Sequence, residues 1–119
     1  MNKVILRSQR NLVVLDLSEV NWIEAKGRRS LWYCLKNEYL VNVGIQKLED
    51  ELNPGKFVRV HRSYIINVEK IRQLTPDRKK GYEIILENGT KLPWSQHYKD
   101  RFRHLKKKVH LIPPEATQQ

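Results

Sequence analysis

A length of 119 residues fits one domain with a single modest core, and 23 Lys and Arg against 13 Asp and Glu give a formal net charge of +10. No uncharged apolar run approaches the ~20 residues that a membrane-spanning helix needs, and the apolar start after Met1 is too short for a signal peptide. We therefore expect a cytoplasmic protein with no membrane partner.

The first half of the chain is predicted to form short antiparallel strands. Residues 4–7 and 12–15 are β-prone runs joined by turn-type residues, and residues 22–25 form a third strand. Residues 31–35 and 39–43 flank a short polar connection, which predicts a second hairpin.

The turn at Gly27 carries the first candidate site. Lys26, Arg28 and Arg29 cluster around this glycine, and Ser30 follows them. An arginine at a loop tip can pair bidentately with a guanine edge or bind a phosphate. The alternative is an ordinary solvated hairpin tip.

After residue 43 the apolar spacing becomes helical. Ile45, Leu48 and Leu52 fall at i, i+3 and i+7 with polar and acidic residues between them. This pattern predicts a short amphipathic helix over about 44–53, ended by the proline and glycine that follow. Because the helix is acidic, we expect it to pack under the sheet rather than to contact a polyanion.

Residues 57–71, FVRVHRSYIINVEKI, place a polar cluster beside a strongly apolar run. The polar members are Arg59, His61, Arg62 and Ser63; the members expected to be buried are Phe57, Ile65, Ile66 and Ile71. Packing fixes the backbone here, so donors of the types that suit phosphates and base edges are preorganised. Asn67 is expected to bond buried backbone groups, whereas a DNA contact and a structural role both remain open for His61.

The next segment is predicted to be a strand, a loop and a hairpin. Residues 72–74 lead into a basic loop at 75–81, which is either a phosphate contact or a solvated tip. Alternation over residues 82–86 and the Asn88-Gly89 pair predict a tight hairpin. Pro93 lacks a backbone donor and should lie at a strand end or on an edge strand.

Ser95 is placed to cap a basic C-terminal helix over about 96–110. The apolar positions of this helix, spaced at four, three and four, are Tyr98, Phe102, Leu105 and Val109. Its other faces carry positive charge. Residues 111–119 contain two consecutive prolines and are expected to be a disordered tail, so that residues 1–110 form the single domain.

The positive charge is concentrated in the second half of the chain. Residues 53–119 carry fifteen Lys and Arg against six Asp and Glu, whereas residues 1–52 carry eight against seven. A basic face of this kind usually attracts a polyanion, with nucleic acid first and an anionic membrane second.

We expect no enzyme activity, no metal and no cofactor. The four histidines form no HExxH motif, and the sequence has no GxGxxG and no P-loop. A metal-dependent nuclease using His61 and Asn67 would need ligands where the chain has cations. The lone Cys34 excludes an internal disulfide, and a small core residue is its expected role, with a reactive thiol as the alternative.

Three motifs occur in order: W-I-E-A at residues 22–25, F-x-R-x-H-R-S-x-x-x-N-x-x-x-I at 57–71, and N-G-T-K-L-P-W-S at 88–95. Together they resemble the LytTR-type DNA-binding domain of bacterial response regulators. The resemblance implies a mainly β fold, an elongated stack of antiparallel β-sheets with one short amphipathic helix and the basic C-terminal helix. It also implies sequence-specific binding of double-stranded DNA through loops inserted into the major groove.

The resemblance further suggests roles for individual side chains, because Arg62 and Gln96 match positions that contact bases. The base-contact candidates are Arg28, Arg29, Ser30, Arg62 and Gln96; the phosphate-contact candidates are Lys26, Arg59, His61, Ser63, Lys91, Ser95, His97 and Lys99. Many family members carry arginine where Gln96 stands. Glutamine favours adenine over the guanine that arginine prefers, so the bound sequence stays open.

The expected function is that of a bacterial transcriptional regulator. The resemblance implies DNA with repeated half-sites, two protomers on that DNA, and a sensory domain or sensor protein outside this chain. The chain is then either a stand-alone regulator or the DNA-binding part of a longer protein. The alternative is a basic module for RNA or an anionic surface, suggested by the cations of residues 101–108 beside Phe102.

Overall fold

Three antiparallel sheets are stacked in an elongated molecule that measures 59 × 28 × 25 Å. The computed structural model describes residues 2–78 and 81–114, and only the backbone of residues 106–108. The strands are β1 (Lys3–Ser8), β2 (Asn11–Asp16), β3 (Val20–Lys26), β4 (Arg29–Cys34), β5 (Glu38–Val41), β6 (Phe57–His61), β7 (Tyr64–Asn67), β8 (Ile71–Asp77), β9 (Gly81–Leu86) and β10 (Lys91–Trp94). The helices are α1 (Ile45–Glu51) and α2 (Phe102–Lys108), with 3-10 helices at Leu17–Glu19, Val68–Lys70 and Gln96–Arg101.

The five-stranded sheet, in the order β5-β4-β3-β7-β6, is the middle layer of the stack. Successive side chains of a strand point to opposite faces, so Ile65 and Ile66 of β7 enter different cores. Ile65 packs with Leu15 of the β1–β2 hairpin and Leu48 of α1. Ile66 packs with Ile84 of the β8–β10 sheet. This arrangement confirms the mainly β stack of antiparallel sheets that the sequence predicts.

The predicted hairpins form. β1 pairs with β2, β4 with β5, and β9 with β10 around the Asn88-Gly89 turn. Pro93 lies in β10, an edge strand as expected, and Pro76 lies in β8, the other edge of the same sheet. The basic loop is shorter than predicted because β8 extends to Asp77. Residues 79–80 of that loop lie outside the described residues.

The amphipathic helix is confirmed as α1, with Ile45 and Leu48 buried. The basic C-terminal helix is different from the prediction, because its first part is a 3-10 helix and regular α-helix begins only at Phe102. Val109, predicted on the buried face, lies beyond α2 and is 50% exposed.

Trp94 explains the break in the C-terminal helix. Its indole Nε1 donates to the carbonyl of Tyr98 at 2.9 Å, and Tyr98 has φ −117° and ψ 15°, outside the helical region. The Phe102 amide, which would donate to this carbonyl in a regular α-helix, donates to the carbonyl of Lys99 instead. Spacing of apolar residues predicts a continuous helix here, whereas the buried tryptophan separates two short ones.

The end of the described chain has no regular secondary structure over residues 110–114, and these residues are exposed. The remainder of the predicted disordered tail, residues 115–119, lies outside the described residues. Within the described ranges, no helix is long and apolar enough to cross a membrane.

Candidate nucleic-acid interface

The Arg62 turn, residues 62 and 63, joins β6 to β7 and presents Arg62 to solvent. The strand register shifts between Arg59 and His61, which is the irregularity of a β-bulge. His61 then closes the turn, since its Nδ1 accepts a hydrogen bond from the Ser63 amide at 3.0 Å. The tip of this hairpin is thus held by its own side chain as well as by the sheet.

Arg59 is buried behind the Arg62 turn and is not available to a phosphate. Its side chain is 7% exposed, its Nε donates to the His61 carbonyl at 3.2 Å, and its Nη2 donates to the Arg62 carbonyl. Its Nη1 pairs with Glu49 Oε1 at 3.0 Å. The assignment of Arg59 as a phosphate contact is therefore corrected: it supports the turn from inside.

His61 makes a structural hydrogen bond through Nδ1, and its Nε2 is the atom that could contact DNA. Burial, followed by the nearby charges of Arg62 and Arg59, lowers the pKa of His61. The ring is therefore neutral at neutral pH, with Nδ1 as the acceptor and the proton assigned to Nε2 from the hydrogen-bond pattern. A neutral ring of this tautomer can still donate from Nε2 to an anion.

The lowered pKa gives a testable pH dependence. Because the pKa of His61 in the folded chain lies below the ordinary histidine value of about 6.5, the stability that His61 contributes is complete above about pH 6.5 and decreases as the pH falls below it. His61→Asn keeps an acceptor near the Nδ1 position without titrating. In urea unfolding at a series of pH values from 8 to 5.5, we expect the wild type to lose stability relative to His61→Asn. A gain on acidification would show that the proton is bound more tightly in the folded chain.

The Gly27 turn, residues 27 and 28, lies beside the Arg62 turn. The amide of Ala25 donates to the carbonyl of Ser63 at 2.8 Å, which joins β3 to the end of the β6–β7 hairpin. Gly27 has φ +63°, and nothing lies within 4 Å of a Cβ placed there, so the tip is open. The exposed cations are Lys26, Arg28 and Arg29.

Ser30 does not belong to this exposed set. Its side chain is fully buried, and its hydroxyl accepts a hydrogen bond from Trp32 Nε1 at 2.9 Å. The prediction of a base contact at Ser30 is corrected for that reason. The hydroxyl satisfies a core indole that would otherwise be a buried unpaired donor.

The Ser95 corner, residues 95–97, flanks the Arg62 turn through β6. The Ser95 amide donates to the carbonyl of Val60 at 2.8 Å, and Ser95 Oγ accepts from the His97 amide at 3.2 Å, as predicted for a cap. Trp94 anchors the corner because its side chain is 2% exposed and packs on Phe102. The exposed side chains here are Gln96, His97 and Lys99.

Lys91 lies away from the other candidates. It begins β10, whereas the Ser95 corner follows the end of that strand, ~13 Å further along at an ordinary strand rise. The neighbouring hairpin turn lines a cavity with Asn21 and Glu38, at the end of the middle sheet opposite to the Gly27 turn. The structure therefore does not bring Lys91 to the same edge.

Two residues beside the site were not predicted to matter. Glu49 of α1 pairs with Arg59 and also with Arg101, whose Nη2 lies 3.1 Å from Glu49 Oε2. Glu49 is separated in sequence from Arg59 by 10 positions and from Arg101 by 52, so no local spacing connects them.

Among the described residues, no group of three or more His, Cys, Asp and Glu side chains is arranged to hold a metal ion.

Asn67 has the structural role that the sequence predicts. It is 3% exposed, and its Nδ2 donates to the carbonyl of Val20 at 2.8 Å. Its Oδ1 accepts from the Glu69 amide at 3.0 Å. Asn67 thus ties the end of β7 to the start of β3.

Comparison with known proteins identifies one family. A family model described as the LytTr DNA-binding domain matches residues 10–107. The chain is 26% identical over 110 residues to the sensory transduction protein LytT of Bacillus subtilis, covering 92% of this chain and 44% of that protein. It is 33% identical over 71 residues to the transcriptional regulatory protein LytR of Staphylococcus aureus, covering 60% and 29%.

A solved structure gives the same result. A LytTr DNA-binding domain from Bacillus cereus superposes with a TM-score of 0.75 and 28% sequence identity, over 88% of this chain and 96% of that one. The chain spans less than half the length of the curated relatives it matches.

Proposed function

Because the chain belongs to the LytTr DNA-binding domain family, we propose that it binds specific double-stranded DNA and regulates transcription. The contacts would come from the Gly27 turn, the Arg62 turn and the Ser95 corner, and from the residues that flank them. Arginine and amide side chains on these segments suit base edges in the major groove, which distinguishes all four base pairs.

One observation carries this proposal. Two backbone hydrogen bonds, from Ala25 to Ser63 and from Ser95 to Val60, hold the three segments on the two sides of one hairpin. Segments that are 30 or more residues apart in sequence therefore present their donors at one edge. Phosphate contacts at such an edge fix the register of the protein, and base contacts give it sequence preference.

The proposed contacts follow from which side chains reach solvent at this edge: His61, Ser63 and Ser95 are half-buried, and the others are exposed. The proposed base contacts are Arg28, Arg29, Arg62 and Gln96; the proposed phosphate contacts are Lys26, His61, Ser63, Ser95, His97 and Lys99. Arg59, Ser30 and Lys91 are left out because two are buried and one lies at another end of the sheet.

Duplex DNA is favoured over the RNA-binding alternative by the state of the aromatic rings. Single-stranded RNA is usually bound on exposed aromatic side chains. Phe102, the first residue of the basic α2, is only partly exposed and packs between Tyr82 and Trp94, at centroid distances of 5.6 and 5.1 Å; Trp94 is buried, and Tyr82, at 37% exposed, is stacked on Phe102. A competition between duplex DNA and single-stranded RNA separates the two functions.

We further propose that two protomers bind repeated half-sites and that a sensory domain or sensor protein outside this chain controls them. The curated relatives are more than twice as long as the part that this chain matches. Relatives named as sensory transduction proteins support an input of this kind.

Selection of bound duplexes from a random pool tests the proposal directly, and the salt dependence of binding tests its electrostatic part. If about six phosphates are contacted, log affinity for the selected duplex should fall with log salt at a slope of roughly −5. Binding titrations at salt concentrations from about 50 to about 300 mM measure this slope. A slope near zero, or a pool without a consensus, would contradict the proposal.

A further inference from the structure

A single carboxylate on α1 connects two arginines behind the proposed interface. Glu49 Oε1 lies 3.0 Å from Arg59 Nη1, and Glu49 Oε2 lies 3.1 Å from Arg101 Nη2 and 3.2 Å from Arg101 Nε. The ring of Tyr98 lies beside both guanidinium groups, at 5.4 Å from Arg59 and 4.6 Å from Arg101. The three charged side chains and this ring form one packed group, named here the Glu49 cluster.

Each arginine of the Glu49 cluster belongs to a different DNA-contact segment. Arg59 donates to the carbonyls of His61 and Arg62 and so holds the Arg62 turn. Arg101 ends the 3-10 helix that begins at Gln96. Glu49 therefore connects the support of one proposed base contact to the segment that carries another.

We infer that Glu49 is a positioning residue for DNA recognition, which fixes the distance between the Arg62 turn and the Gln96 segment without touching DNA. This inference rests on the proposed function. Base contacts require side chains held within about 0.5 Å of the productive geometry, and rigid supports provide that accuracy. A carboxylate bonded to two arginines is such a support, because guanidinium groups bind carboxylates in a fixed planar geometry.

The burial of the cluster supports this role. Arg59 is 7% exposed, whereas Glu49 and Arg101 are 21% and 29% exposed, so the ion pairs are shielded but not fully enclosed. Arg101 has a second acceptor in Asp100, at 3.1 Å, but Asp100 is largely exposed and adjacent in sequence. Within the described part of the chain, Glu49 is the one carboxylate that pairs with both arginines.

The test is Glu49→Gln, measured on two DNA probes: the duplex that the wild type selects from a random pool, and a random duplex of equal length. Electrostatics alone predicts tighter binding to both probes, because a negative charge is removed from a protein that binds a polyanion. A positioning role predicts that the two affinities change differently. We expect affinity for the selected duplex to fall about fivefold, while affinity for the random duplex is unchanged or slightly stronger.

Glu51→Gln is the matched control. Glu51 is exposed on the same helix and makes no hydrogen bond or ion pair with any described side chain, so the substitution removes the same charge without touching the cluster. This variant should bind both probes as the wild type does or slightly more tightly. Equal effects of Glu49→Gln and Glu51→Gln on the ratio of the two affinities would overturn the inference.

Amide hydrogen exchange separates positioning from general destabilisation. In Glu49→Gln, exchange should become faster at Ser63 and in the Gln96–Arg101 helix, with the β1–β2 hairpin unchanged. Faster exchange throughout the chain, with equal loss of affinity on both probes, would reduce Glu49 to a stability residue and overturn the inference. Failure of the wild type to select any duplex would instead refute the proposed function, and the positioning role would fall with it.

Discussion

Gly81→Ala is expected to lower the free energy of unfolding by about 2–5 kcal/mol. Gly81 has φ +96°, and a Cβ placed on it would lie 2.6 Å from the carbonyl oxygen of Trp94. Positive φ in a non-glycine residue costs about 1–3 kcal/mol, and overpacking against a fixed backbone atom adds a similar amount. Urea denaturation followed by tryptophan fluorescence measures the loss.

Gly89→Ala is the control for this substitution. Gly89 has φ +91°, but nothing lies within 4 Å of an added Cβ, so only the backbone strain is introduced. Its loss should be about 1–2 kcal/mol, at the low end of the strain cost. Equal losses in the two variants would show that the carbonyl of Trp94 moves without cost.

The clash at Gly81 has a functional consequence because of where Trp94 lies. Ser95 follows it directly, and Gln96 lines the same cavity as Gly81. The β8–β9 hairpin thus packs against the backbone that positions the Ser95 corner. We expect Gly81→Ala to weaken specific DNA binding even at temperatures where the chain is still folded.

Alternation along strands explains which predictions from the sequence succeeded. Ile65 and Ile66 were expected to be buried, and their adjacency in one strand places them in two cores, which fixes the middle layer of the stack. The same rule could have identified Ser30. It is two positions before the buried Trp32 and therefore shares its face, although its basic neighbours suggest a loop.

Long-range pairing explains which predictions failed. Arg59 is a cation within a basic motif, and nothing near it in sequence indicates that Glu49 and two turn carbonyls satisfy it. Lys91 fails for a geometric reason: a motif gives its place along β10 but not which end of that strand faces the interface. A sequence pattern therefore predicts which residue types are near the site more readily than it predicts the buried ion pairs and hydrogen bonds that hold them.

Arg62→Ala is expected to weaken binding to the selected duplex by about 1–3 kcal/mol and to relax base preference at one position. Arg62 is exposed at the tip of a hairpin whose backbone is held by His61 and Arg59, so truncation removes the contacting group and leaves its support in place. Titration of the selected duplex and of single-base variants measures both effects.

Lys99→Ala separates base recognition from phosphate binding in the same assay. Lys99 is exposed beside Gln96, and a phosphate contact carries no sequence information. We expect this variant to bind every duplex more weakly by the same factor and to reduce the salt slope by about 1.

If Arg62→Ala weakened binding to the selected and random duplexes equally, Arg62 would be a phosphate contact too. Base preference would then have to come from Gln96, which favours adenine, and from Arg28 and Arg29, which favour guanine.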